Sequence, residues 1–211
     1  TCALPIYSFA IAIVTTVVCL FIAYPTAYIL ARSSLRSKAV ILLIIIMPMW
    51  INFTLRVTAL KEILTFLEGN LAYHPFLNTV LGMTYDFLPF MILPLYTSFL
   101  KQDLDLNEAA ADLGASPFEV FIRITLPLSV PGIISGVTMV FLPAMTNYVV
   151  LDMLYNSTYI MGSLIGSYFA AYDWHNGSLI SFVLLLIILA VTVLTGRFGE
   201  TDEERKGGTA L

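Results

Sequence analysis

Charge is scarce in this sequence. Asp, Glu, Lys and Arg make up only 11% of its 211 residues, whereas a soluble domain carries roughly a quarter, because it must wet its surface. That shortage excludes a large soluble core. Cysteine is equally sparse: Cys2 and Cys19 are too few for a disulfide framework and show no metal-ligand spacing. The two histidines, His74 and His175, stand alone, so no metal site is read. No Gly-x-x-x-x-Gly-Lys-Ser/Thr segment occurs, so the chain offers no P-loop for a nucleotide. Clustered His, Cys or carboxylates at a bilayer edge, which a membrane enzyme needs, are also missing. An initiator Met is lacking, and no basic stretch precedes the first apolar block as it would in a signal peptide.

Apolar residues fill the space that charge leaves. They form 59% of the chain, with a mean hydropathy of +0.89, and they fall in long blocks. A helix needs about 20 apolar residues to cross a hydrocarbon core of roughly 30 Å. Five segments approach that length: about 8–31, 39–60, 78–100, 131–150 and 179–196. The expected fold is therefore an all-α polytopic membrane bundle. The lipid bilayer is its solvent, and nothing basic enough to hold nucleic acid is present.

Placing the loop after the first segment in the cytoplasm puts Arg32, Arg36, Lys38, Lys101, Arg123, Arg197, Arg205 and Lys206 inside. Arg56 and Lys61 then lie outside, in accord with the positive-inside bias. A first visible segment that enters from outside calls for an earlier one, so the parent is expected to have six helices, five of them here. Thr1-Cys2-Ala3-Leu4-Pro5-Ile6 also reads as a translated sequencing-library adapter, which leaves 7–200 as the transmembrane domain and 201–211 as a cytoplasmic tail. Residues 61–77 and 152–178 are expected as outer loops and 101–130 as a long inner loop. Pro25, Pro48, Pro89, Pro94 and Pro143 lie in or beside membrane segments, where each removes a backbone donor.

The inner loop is the informative stretch. Residues 105–125 read as two short helices joined at a glycine. Asp105 with Glu108 has capping-box spacing, and Gly114 suits the left-handed position that ends a helix. Ser116 caps the second helix, Pro117 takes its first turn, and Glu119 closes a second box. Leu126-Pro127 is expected to stop that helix before the fourth membrane segment. Leu106, Ala109, Ala110 and Leu113 share one face, as do Val120, Phe121 and Ile124. A short amphipathic helix is marginal alone in water, and Ala109-Ala110-Ala111 has too little apolar bulk to lie on lipid. It needs a partner to dock against.

Glu108-Ala109-Ala110, Gly114, Ile124 and Leu126-Pro127 resemble the EAA motif of binding-protein-dependent ABC importer permeases. Asp112-Leu-Gly-Ala-Ser, Phe141-Leu-Pro-Ala-Met145, Leu88-Pro-Phe-Met91 and Pro94-Leu-Tyr96 are similar to the spermidine/putrescine permeases, most to the first of their two permease subunits. The resemblance implies a type I importer fold in the bacterial inner membrane and a non-catalytic transport role. Glu108, Ala109, Ala110 and Gly114 would then be the residues that couple to a cytosolic ATP-binding subunit. ATP and Mg would sit on that subunit, with no cofactor in this chain. A second permease subunit and a periplasmic or lipid-anchored solute-binding protein complete the implied partners. Another small solute, or an ion-coupled secondary transporter, are the alternatives.

One carboxylate falls within a membrane segment. Asp86 lies about 12 Å below the outer end of its helix, where a charge normally faces a cavity or a partner. It is expected either to line the substrate path with Tyr85 and Tyr96, drawing in a cation, or to bond a neighbouring helix through Thr84 or Tyr28. Asp152, just past the fourth segment and a further path candidate, and Asp173 with Trp174 in the outer loop are expected either to meet an incoming cation or the binding protein or to be solvated loop charges.

Overall fold

The computed structural model describes residues 3–33, 36–103, 105–155 and 161–199, and every regular element among them is helical. The tail 201–211, with Arg205 and Lys206, lies outside the described residues. Ten α-helices follow in order: α1 Ala3–Arg32, α2 Lys38–Ile46, α3 Phe53–Glu68, α4 Pro75–Lys101, α5 Asp105–Asp112, α6 Pro117–Val120, α7 Leu126–Thr146, α8 Tyr148–Tyr155, α9 Met161–Ala170 and α10 Trp174–Gly199. Three runs are long and apolar enough to cross a membrane: Ser8–Arg32, Pro75–Lys101 and Pro117–Thr146.

The segment expected as one span over 39–60 is instead broken. α2 continues as a 3-10 turn over Met47–Trp50, and α3 leaves at 98° to it. The cause is local. Pro48 opens the 3-10 turn, Ile51 is extended (φ −81°, ψ 144°), and the Asn52 side chain accepts the Thr54 N–H at 2.9 Å to start a new helix. Counted as one span, the pair makes a fourth crossing.

Two loops also turn out shorter than expected. α3 runs on to Glu68 and α4 begins at Pro75, so little of 61–77 is loop. Residues 152–178 hold the second half of α8, all of α9 and the start of α10. Helices too short to span escape a hydropathy window tuned to bilayer thickness.

Pro127 does not stop the helix it follows. Between α6 and α7 the chain makes one wide turn, Phe121–Thr125, closed by the Leu126 N–H on the Phe121 carbonyl five residues back. Proline lacks the donor that a tighter turn would use. Widening the turn just before Pro127 lets the helix run through to Thr146, so the fourth segment starts earlier than 131.

α4 is the axis of the bundle. α1 and α7 pack along it and against each other, α3 and α8 cover its N-terminal half, and α9 and α10 flank α7. Its buried side chains point all round, from Asn78 and Met83 to Leu95 and Phe99. α1 turns a stripe of small residues inward, Ala12, Thr16, Cys19, Ala23 and Ala27, all buried. α7 meets α4 through Gly132 and Gly136. A Cβ at Gly132 would fall 2.5 Å from Ser98 Cβ and 3.0 Å from the Pro94 carbonyl oxygen. At Gly136 it would fall 2.6 Å from Met91 Sδ. Small residues four apart let helix backbones approach where lipid offers no hydrophobic drive.

Gly132→Ala should therefore destabilise the bundle by about 1–3 kcal/mol, read as a lower thermal midpoint in detergent. Gly166→Ala is the control, since a Cβ there meets nothing within 4 Å, and its midpoint should not fall.

Candidate functional site

α5 and α6 form a hairpin at the end of the bundle where α1 and α4 finish. Each turn of its backbone has a local cause. The Ala115 N–H reaches the Ala110 carbonyl at 3.1 Å and the Gly114 N–H reaches Ala111 at 2.9 Å, the paired bonds that close a helix when the next residue is left-handed. Gly114 takes that position with φ +85°. Ser116 then opens α6: its Oγ accepts the Glu119 N–H at 3.3 Å while the Glu119 carboxylate accepts the Ser116 N–H at 2.9 Å. The expected second capping box is thus present. The first is placed differently: Asp105 opens α5 rather than capping it, and its N–H is accepted by Asp103 Oδ1 at 3.1 Å.

The hairpin buries no side chain of its own helices. Glu108 and Ala109 are exposed, Leu106 is half exposed, and Leu113 and Phe118 are 90% and 70% exposed. Between α5 and α6 lies a groove of about 320 Å³ lined by Ala110, Leu113, Val120 and Ile124, with Glu119 and Arg123. The four coupling residues expected from the sequence, Glu108, Ala109, Ala110 and Gly114, therefore share one solvent-facing element. Its apolar surface has no partner among the described residues of this chain.

Behind the hairpin the chain is fastened tightly. Phe121 packs edge to face on Tyr24 and Tyr28 of α1, at ring separations of 6.0 and 6.4 Å. Both tyrosines also meet Phe99 of α4, at 5.1 and 5.5 Å. Tyr24 Oη and Ser129 Oγ are hydrogen-bonded at 3.1 Å. Gln102 bridges the helix ends, accepting from Arg32 at 3.2 Å and donating to the Thr125 carbonyl at 3.3 Å. Sequence reading placed Phe121 on an apolar face but did not find this cluster, because its members come from three distant segments.

The path candidates are not brought together. Asp86 is buried to 1% exposure, while its neighbour Tyr85 is 43% exposed. Tyr96 is buried about 15 Å farther along the helix. Asp152 lies on α8, and its side chain is outside the described residues. Asp86 bonds neither Thr84 nor Tyr28. Its partner is Arg56 of α3, at 3.3 Å.

Arg56, counted from the sequence with the outer charges, is thus only 8% exposed beside α4. α3 runs antiparallel to α4, with Glu68 accepting from Asn78 Nδ2 at 2.9 Å, Leu60 over Gly82, and Arg56 on Asp86. The signal was available: an arginine inside an apolar segment requires a carboxylate in reach. Farther out, Asp173 caps α10 by accepting from Asn176, and these hydrogen bonds hold its carboxyl below the usual range.

Apolar spans packed round a close-fitting axis, with a capped helical hairpin at one end, make the chain a helical membrane protein of the permease class. The chain belongs to the family of binding-protein-dependent transport system inner membrane components, which it matches over residues 3–200. It is 35% identical over 199 residues to the spermidine/putrescine transport system permease protein PotB of Escherichia coli strain K12, covering 87% of this chain and 72% of that one. The Haemophilus influenzae PotB is 35% identical over 196 residues, 85% of this chain and 68% of its own. A PotB homolog of Mycoplasma genitalium is 33% identical over 154 residues, 68% and 54% of the two chains. The protein is a multi-pass inner-membrane permease subunit of an ABC transporter, a transport component of a family that works with an ATPase and a binding protein.

Breaking one side of the intramembrane pair leaves a buried charge uncompensated, at a cost of about 3–5 kcal/mol. Asp86→Asn and Arg56→Gln should each lower the thermal midpoint in detergent. The double variant, which buries no charge, should recover most of the loss.

Proposed function

We propose that this subunit lines the route by which cationic polyamines of the spermidine and putrescine kind enter the cell. The observation that carries the reading is the hairpin: a rigid element, closed at Gly114 and reopened at Ser116, that presents unpartnered Leu113 and Phe118 at the end of the membrane bundle. Glu108, Ala109, Ala110 and Gly114 seat it on a cytosolic subunit that binds ATP and Mg. A second permease subunit closes the other side of the channel, and a periplasmic or lipid-anchored binding protein delivers the solute. Sequence similarity to permeases named for spermidine and putrescine supports the substrate class.

The path residues belong to the same proposal. Asp86, flanked by Tyr85 and farther in by Tyr96, supplies negative charge to a passing ammonium group, with Asp152 nearer the outer side. In the described conformation Asp86 is held by Arg56. It meets solute only when α3 shifts.

The test uses the full complex in proteoliposomes. ATP-dependent uptake of labelled spermidine, competed by putrescine, is the expected result; uptake of a different solute class alone would overturn the substrate assignment. Gly114→Val should insert normally yet lower uptake at least tenfold, because a β-branched residue resists positive φ at a cost of about 1–2 kcal/mol. Wild-type uptake in that variant would count against hairpin docking.

A further inference from the structure

We infer that Phe121 is the joint through which force on the docking hairpin reaches α1 and α4. This extends the docking reading above, on which it rests.

α5 and α6 pack on each other and on the Phe121–Thr125 turn, and the first side chain after them to enter the bundle is Phe121. Its ring is received by two others, and a third backs them. Tyr24 and Tyr28 stand one helical turn apart on α1 and meet it edge on, with interplanar angles of 86° and 89°. Phe99, 2% exposed on α4, packs against both tyrosines from the other side. Arg32 lies 6.0 Å over the Tyr28 ring, so the far wall of the socket is braced as well. A push on the hairpin thus arrives at two spanning helices together.

The backbone under Phe121 suits a joint. The wide turn is closed by a five-residue bond, from the Leu126 N–H to the Phe121 carbonyl. Wide turns of this kind pack their backbone less closely than an α-helix and recur at functional positions. At its end and just beyond, Thr125 and Ser129 are buried and hydrogen-bonded to Gln102 and Tyr24. The hairpin is free on one side of Phe121 and clamped on the other. Edge-to-face ring pairs add attraction beyond their buried area, so the socket keeps hold of Phe121 and passes the hairpin's movement to α1 and α4 as a tilt.

Phe121 is a positioning residue; it touches neither ATP nor solute. The test is made in the assembled complex with Cys2 and Cys19 replaced by Ser. Spin labels are placed at the exposed positions Phe21 of α1 and Val193 of α10. The label separation should differ between nucleotide-free and ATP-bound complex. In Phe121→Leu, which keeps an apolar side chain but no ring, that difference should fall by at least half while the ATPase subunit still copurifies and hydrolyses ATP. Phe121→Tyr, which restores the ring, should retain it. An unchanged difference in Phe121→Leu overturns the inference, as does the absence of any difference in the parent complex. Loss of the ATPase from Phe121→Leu also overturns it, because Phe121 would then be part of the docking surface. The docking reading fails separately, if Leu113→Asp, which leaves the socket intact, still copurifies with the ATPase.

Discussion

Inside hydrocarbon an apolar side chain gains almost nothing by leaving lipid for another helix, so helices must hold together by fitting closely or by sharing polar groups. Everything in this bundle follows from that constraint. α4 fits α7 at Gly132 and Gly136, where their backbones nearly touch, and fits α1 along a stripe of alanine, threonine and cysteine. Where the fit is looser, polar groups take over. α3 is held on α4 by Glu68 with Asn78 near one end and Arg56 with Asp86 near the other, with Gly82 making room between them.

The same constraint separates the two halves of the protein's work. The bundle is close-packed and resists deformation, whereas the hairpin outside it makes its bonds within itself and leaves Leu113 and Phe118 bare. On the docking reading, an external element with a fixed backbone moves a close-packed bundle only through a firm connection. The aromatic cluster of Tyr24, Tyr28, Phe99 and Phe121 lies where the chain of the hairpin enters the bundle.

Legibility in the sequence tracked how local each cause was. Gly114 and the Ser116–Glu119 box were readable because a left-handed residue and a reciprocal cap are complete within a few positions. The membrane segments were readable as composition, but the break at Asn52 was not, since hydropathy averages across a change of direction. Pro127 read as a stop because its missing donor was visible and the widened turn that accommodates it was not. The partner of Asp86 was missed because it depends on the antiparallel run of α3 against α4, which no short window contains. Gly132 and Gly136 carried a signal in their spacing, yet their role appears only when α4 is laid beside them.

The Phe121–Thr125 turn holds one residue more than an ordinary helical turn would between the same two bonded groups. Each residue of a helix advances its azimuth by about 100° and its length by about 1.5 Å. The compass bearing of the hairpin relative to α7 is therefore written in a count of residues, with side-chain identity secondary. A lineage that lost or gained a single codon here would keep every residue of the hairpin and turn its exposed face toward a different quarter.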